Sequence, residues 1–326
     1  MAINVAMISS WHVHAPGYAK RIAADDRFKI TAVYDERVES GKKWADELGC
    51  KFYDDYDELL KNSEIDAVCI NSPTNLHPMI IIKAAKAKKH IFTEKVLALT
   101  AREAEEIRNA VNQSGVIFAI SYFQRCFANL IKAKQLIAEG AIGKVGYMRV
   151  RNVHSGSIRN WLPDHFYNAE QCGGGAMIDL GAHPMYLLQW FMGDPVKVSS
   201  VFTNLTPRPV EDNAVSVLEF ADGAIGVSET GFVSIANPYT VEFSGTEGYI
   251  MCEDSEKLTL RTEKKYTVME GEDLPEAPKQ PLEQWLDAVA NGTQICHDFG
   301  IDEAVRLSKL MEAAYNSHKT NAKAIY

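Results

Sequence analysis

What the chain lacks narrows its class first. No apolar run approaches the roughly 20 residues that a membrane-spanning helix needs, so no membrane segment is expected. The amino terminus, "MAINVAMISS", has neither the basic start nor the long apolar stretch of a secretory signal, which points to a cytoplasmic protein. Six cysteines, at 50, 69, 126, 172, 252 and 296, include no C-x-x-C pair, and they read as reduced thiols rather than a disulfide or zinc framework. Basic residues are in deficit, 34 Lys and Arg against 43 Asp and Glu, for a net charge of −9. A nucleic-acid or membrane-surface partner is therefore not expected, because binding phosphates in bulk needs a basic face. There are no internal repeats and no low-complexity segment. The first apolar run, "INVAMI", is also not followed by a glycine-rich phosphate loop; "SSWHVHAPGY" stands there instead.

What is present is a rhythm. At 326 residues the chain suits two domains, expected at 1–122 and 123–326. In the first, short apolar runs at 3–8, 29–35, 50–55, 66–72, 90–95 and 116–123 alternate with helical spacings at 17–26, 37–49, 56–62, 77–89 and 100–115. Such alternation predicts β-α-β units in a parallel, doubly wound Rossmann sheet, which binds ligands at the carboxyl ends of its strands. Beyond residue 123 the pattern changes. A helix at 129–140 is followed by paired alternating runs about Asp222-Gly223 and about Gly245 to Gly248, which are hairpin signals. An α+β domain follows, with a mostly antiparallel open sheet, helices on one face and a closing helix at 301–318.

Three stretches carry potential chemistry. Asp35 ends the second predicted strand, where a carboxylate in a dinucleotide fold bonds the adenosine ribose and repels a 2′-phosphate; this favours NAD, with NADP possible. A helix-entry aspartate is the plainer alternative. "TEKV" (93–96) ends another strand on Glu94 and Lys95, and a lysine there could polarise a substrate oxygen, although most such pairs are solvated surface. "CGGGAMIDLGAHP" (172–184) allows close backbone approach at its glycines. A helix starting near Met177 would put Asp179 and His183 on one face as an acid/base pair, yet D-x-x-x-H alone is more often structural.

"HVH" at 12–14 is also how metal-dependent amidohydrolases begin, with both imidazoles leaving one strand end. That fold is a barrel of eight β-α units with further histidine ligands. Of the other histidines only His90 lies clearly at a strand, at its wrong end, and the second half is antiparallel. No metal is expected.

Taken together, the early β-α-β units with a late acid, "NSPTNLH", "EK" and "GGGAMIDLGAHP" resemble the Gfo/Idh/MocA oxidoreductase family over essentially the whole length. "GAIGKV" (140–145) and "EFSGTEGYI" (242–250) add to the likeness. The resemblance implies an NAD(P)-dependent oxidoreductase that moves hydride between nicotinamide and a secondary hydroxyl or ketone of a sugar, cyclitol or related polyol. It implies that Lys95 matches the lysine of the family's E-K-P motif, whose proline is Val96 here, and that Asp179 and His183 match its acid and histidine. Ser72, Pro73, Thr74 and His77, with Glu94, match the segments lining the cofactor, and Arg125 matches the exit from the first domain beside the active site. Ser9, Trp11 and His14 fall on the glycine places of the family's loop, so the hydroxyls of Ser9 and Ser10 with helix amides are expected to hold the phosphates. His154 and Trp161 are further substrate candidates. The family also implies a homodimer or homotetramer. A non-catalytic dinucleotide sensor is the alternative, disfavoured by the retained Lys95, Asp179 and His183.

Overall fold

The computed structural model describes residues 2–326. The chain divides into two compact units, one of Met1–Ser121 with Lys279–Ser308, the other of Tyr122–Pro278 with Lys309–Tyr326.

In the first unit, β1 (Ile3–Ile8), α1 (Ala15–Ala23), β2 (Phe28–Tyr34), α2 (Val38–Leu48), β3 (Lys51–Tyr53), α3 (Tyr56–Lys61), β4 (Ala67–Ile70), α4 (His77–Lys86), β5 (His90–Thr93), α5 (Ala101–Ser114) and β6 (Phe118–Ile120) follow one another. The strands form a six-stranded sheet in the order β3-β2-β1-β4-β5-β6. All its pairings are parallel. This is the doubly wound order, with its switch point between β1 and β4. Strands β1 and β4 are almost wholly buried, as follows when helices cover both faces, and this explains their unbroken apolar sequences. Local signals set the boundaries. Gly49 and Gly115 end α2 and α5 in the left-handed region, and Thr100 with Glu103 forms a capping box at the start of α5.

The second unit begins with α6 (Ala128–Ala138), β7 (Val145–Val153), the single turn α7 (Ala169–Cys172) and α8 (Ala182–Met192). Then come β8 (Lys197–Thr203), β9 (Asn213–Glu219), β10 (Ile225–Gly231), β11 (Tyr239–Gly245), β12 (Gly248–Glu253), β13 (Lys257–Thr262) and β14 (Tyr266–Glu270). Helix α9 (Pro281–Asn291) belongs to the first unit, α10 (Ile301–Thr320) runs through the third division point, between Ser308 and Lys309, and β15 (Ala324–Ile325) closes the chain. The nine strands lie in the order β14-β13-β12-β11-β7-β10-β9-β8-β15. Within this sheet only β7 and β10 pair in parallel among the described residues. Both expected hairpins form, β9 with β10 and β11 with β12. Leu187 and Leu188 of α8, Met148 and Val150 of β7 and Phe243 of β11 are each fully buried. Between Arg149 and its neighbours on this sheet run ion pairs, to Glu229 at 3.0 Å and to Glu242 at 3.5 Å.

Candidate active site

Each unit carries a cluster of buried polar side chains. In the first, the β1–α1 loop keeps a glycine's geometry without a glycine. Ser9 has φ of +65°, in the left-handed region, and its N–H reaches Tyr34 O at 2.6 Å. The Ser9 hydroxyl accepts from the Trp11 N–H at 3.1 Å. Ser10 donates to Asp35 Oδ2 twice, from its N–H at 2.8 Å and its hydroxyl at 2.6 Å, while the Arg37 N–H reaches Oδ1 at 2.8 Å. Both serine hydroxyls and most of the Asp35 acceptor capacity are thus used inside the loop. Trp11 and His12 are buried.

At the carboxyl end of β4, Asn71, Ser72 and Thr74 are buried, and a short 3-10 turn, Thr74–Leu76, leads into α4. Asn71 Oδ1, Ser72 Oγ and Asn75 Oδ1 are buried without a hydrogen-bond partner among the described residues. Such orphans are costly unless a ligand or water meets them, and they sit where a doubly wound sheet takes its ligand. His77 is sandwiched between carbonyls, Nδ1 at 2.9 Å from Val96 O and Nε2 at 3.1 Å from Ser72 O. Burial nevertheless pushes its pKa down, against the pull of those carbonyls.

Glu94 and Lys95, just past β5, are both buried, and the Lys95–Val96 peptide is cis. The Glu94 carboxylate is the hub of this cluster. His14 Nδ1 lies 2.8 Å from Oε1, Tyr18 donates to the same oxygen, and the Lys95 N–H reaches Oε2 at 3.1 Å. Tyr18 Oη also meets Ser121 Oγ at 2.7 Å. Burial opposes ionisation of Glu94, but His12, His14 and Lys95 together outweigh it and hold the carboxyl well below the usual range. Burial, reinforced by Glu94, lifts the Tyr18 phenol well above its ordinary value.

The second unit holds the other cluster. The helix predicted from Met177 begins only at Ala182, so Asp179 lies in the preceding turns and the i, i+4 helical relation to His183 does not hold. The reason is the glycine run. Gly173 has φ of +85°, a Cβ on Gly174 would lie 2.0 Å from Tyr315 Oη, and one on Gly175 would lie 2.1 Å from Glu211 O. Glu211 then fixes the turn, accepting from the N–H groups of Gly175 at 2.9 Å and Met177 at 3.1 Å and from Tyr315 at 2.5 Å. His183 is buried in the first turn of α8, with Nδ1 2.9 Å from Tyr186 Oη and the Phe123 ring edge-on at 5.1 Å. Tyr186 stacks on Tyr122 at 4.4 Å. Arg125 is buried in the same aromatic group, its guanidinium 5.0 Å from the Tyr122 ring and 5.4 Å from the Tyr186 ring, donating to Tyr186 O at 3.0 Å. His154 stacks on Phe232 at 4.7 Å, with the exposed Trp161 tilted against it at 4.7 Å.

Thus Ser9, Ser10, Trp11, Asp35, Ser72, Pro73, Thr74, His77, Glu94 and Lys95 lie at the strand ends of the first unit, and Arg125, His154, Trp161, Asp179 and His183 lie in the second. Sequence reasoning missed Tyr18, Tyr186 and Glu211. Helical spacing could have offered the first two, as residue i+4 from His14 and i+3 from His183. Nothing local marks Glu211.

A six-stranded Rossmann sheet with an acid after β2 and a buried Glu-Lys after β5, followed along the chain by an open-sheet unit with a buried histidine, is a two-domain arrangement whose first unit has a dinucleotide-binding fold. Residues 3–122 match the oxidoreductase family with an NAD-binding Rossmann fold, and residues 130–251 match the GFO/IDH/MocA C-terminal domain. The chain belongs to the Gfo/Idh/MocA oxidoreductase family and is an NAD-binding enzyme of that family. It is 27% identical over 253 residues to myo-inositol 2-dehydrogenase of Thermotoga maritima, covering 74% of this chain and 73% of the relative. With scyllo-inositol 2-dehydrogenase (NAD(+)) of Bacillus subtilis it shares 31% over 233 residues, 68% of this chain and 65% of the relative. Among solved structures, levoglucosan dehydrogenase in complex with NADH and levoglucosan superposes with a TM-score of 0.87 at 21% identity, covering 100% of this chain and 99% of that one.

Proposed function

We propose that this protein transfers hydride between a nicotinamide cofactor and a secondary hydroxyl or ketone of a sugar, cyclitol or related polyol. One observation carries the reading: a buried histidine whose Nδ1 is held at 2.9 Å by a tyrosine hydroxyl, in a family whose similar members are named for inositol and levoglucosan oxidation. In this reading His183 accepts the hydroxyl proton during oxidation and returns it during reduction. Lys95 bonds and polarises the substrate oxygen. Asp179 orients the histidine or the substrate, and Arg125 acts indirectly, by packing Tyr186. His154 and Trp161 are candidate contacts for the polyol.

The residues present fit the dinucleotide. The orphaned buried oxygens of Asn71, Ser72 and Asn75 call for polar partners. Ser9 also supplies the left-handed turn that a glycine gives elsewhere. When bound, the cofactor supplies the hydride chemistry, and the chain supplies position and proton handling. Asp35 would meet the ribose only if the Ser10 hydroxyl yields one acceptor position, because Ser10 and Arg37 already use most of its capacity.

The test is turnover with NAD and NADH against a panel of polyols, ketoses and inososes. Lys95→Met and His183→Asn should each lower kcat by roughly 10²–10⁴ while cofactor affinity barely moves. Near-normal rates in both variants would overturn the site assignment. Tight NADH binding with no turnover across the panel would favour a sensor. Six unbridged cysteines fit a reducing compartment, so we place the protein in the cytoplasm, and no described helix is long and apolar enough to cross a membrane. Self-association as a dimer or tetramer through the open sheet is the accompanying expectation.

A further inference from the structure

We propose that His12, His14 and Glu94 form a binding site for one divalent transition-metal cation of the zinc class. Each offers a ligand atom, and these atoms all lie within 4.8 Å of one another. The "HVH" stretch supplies only two of the three ligands, since the third comes from the end of a different strand.

The donor set is two imidazoles and one carboxylate, which suits zinc, cobalt and iron rather than magnesium or calcium, whose sites are built from oxygen. The distances bracket what a metal needs. Bonds of about 2.0–2.2 Å in tetrahedral geometry place ligand atoms about 3.3–3.6 Å apart. His14 Nδ1 is 2.8 Å from Glu94 Oε1 and His12 Nδ1 is 3.8 Å from it. Binding therefore opens one contact and closes the other by well under an ångström. The two imidazoles already lie together edge to face, their centroids 4.6 Å apart. The His14 backbone N–H reaches His12 Nδ1 at 3.2 Å, a contact that coordination would trade for the metal bond.

The surroundings are those of a built site. Tyr18 and the Lys95 N–H hold the carboxylate in place, and Ser121 holds Tyr18 in turn. Such outer contacts orient metal ligands. The His14 side chain is 40% exposed, whereas those of His12 and Glu94 are 6% and 2% exposed, so an ion enters past His14. Three protein ligands leave a further coordination position for water or another oxygen ligand.

The site can be tested without nicotinamide or polyol, so its failure would leave the hydride-transfer reading intact. Full-length protein stripped with a chelator is titrated with Zn²⁺ by calorimetry and with Co²⁺ by visible absorption. One ion per chain is expected, with the Co²⁺ bands of nitrogen and oxygen ligation. His14→Gln, at a half-exposed position that should fold, is expected to weaken binding at least tenfold. The double variant His12→Gln/His14→Gln should abolish it, while Cys296→Ser, which removes the exposed thiol, should leave it unchanged. No binding to the parent protein, or equal binding to His14→Gln, would overturn the proposal, and the cluster would then be a proton-shared ion pair.

Discussion

The Tyr186 hydroxyl meets two partners with different demands. It accepts from the Gln124 N–H at 3.2 Å, so its own hydrogen is available to Nδ1 of a neutral His183; when the ring is protonated, the oxygen accepts instead. One hydroxyl can therefore serve both states of the ring that the proposed reaction uses as its proton carrier. Tyr186→Phe should lower kcat about tenfold or more and shift its pH profile, with KM for the cofactor unchanged. In a His183→Asn background the same change should cost almost nothing, because residues acting as one unit are not additive. Equal losses in both backgrounds would assign Tyr186 to packing alone. A second residue-scale expectation concerns His90. Its Nδ1 accepts the Ile117 N–H at 3.0 Å, which requires the neutral ring, and burial lowers its pKa from an ordinary value near 6.5. Below about pH 6.5 the unfolded chain binds a proton here that the folded protein resists. The stability this ring contributes is full above that pH and is lost as pH falls toward the folded value. His77, also depressed by burial, acts in the same sense. Urea midpoints measured from pH 8 to 5 should fall, and His90→Gln should fall less steeply. Identical slopes would remove His90 from the account.

At the scale of elements, α5 shows how far local chemistry reaches. Thr100 Oγ1 accepts from the Glu103 N–H at 3.2 Å, and Glu103 Oε2 accepts from the Thr100 N–H at 3.1 Å. Thr100→Ala removes half of this exchange and should cost about 1 kcal/mol, read as a shift in the urea midpoint with an unchanged slope. Signals of this type made the first sheet legible. Its six strands and five intervening helices follow the predicted alternation with boundaries moved by a few residues. The glycine hairpins likewise announced β9–β10 and β11–β12. Legibility failed where structure depends on distant contacts. The segment before α8 has helical spacing, yet Gly174 must make room for Tyr315 and Gly175 for Glu211, so turns replace the first helical residues. In the same way "HVH" predicted nothing useful alone, because its partner Glu94 arrives only when β5 lies in the sheet beside β4. The candidate residues could be named from the sequence, and helical spacing could have added Tyr18 and Tyr186; Glu211 required the fold.

At the scale of the molecule, the first unit is discontinuous in sequence, and its completion depends on Lys279–Ser308. Trp285 of α9 is fully buried in the core that contains Val5, Met7, Ala67 and Phe92, and its indole N–H reaches Ile117 O at 3.3 Å. The Phe92 ring lies 5.8 Å from it. Leu282 and Leu286 of the same helix join that core. A fragment ending at Ser121 would therefore present the Phe92 side of its sheet to water, with no apolar surface to take the place of α9. Trp285→Ala in the full chain should cost about 3–5 kcal/mol, since it leaves a large cavity; the Ile117 carbonyl keeps the Ile91 N–H as a donor. Residues 1–121 alone should be unfolded or aggregated by circular dichroism and gel filtration, while the same fragment supplied with 279–308 through a flexible linker should recover a cooperative melt. A cooperative melt of residues 1–121 alone would show that the six-stranded sheet closes its own core and that α9 is an accessory, not a part, of the dinucleotide-binding unit.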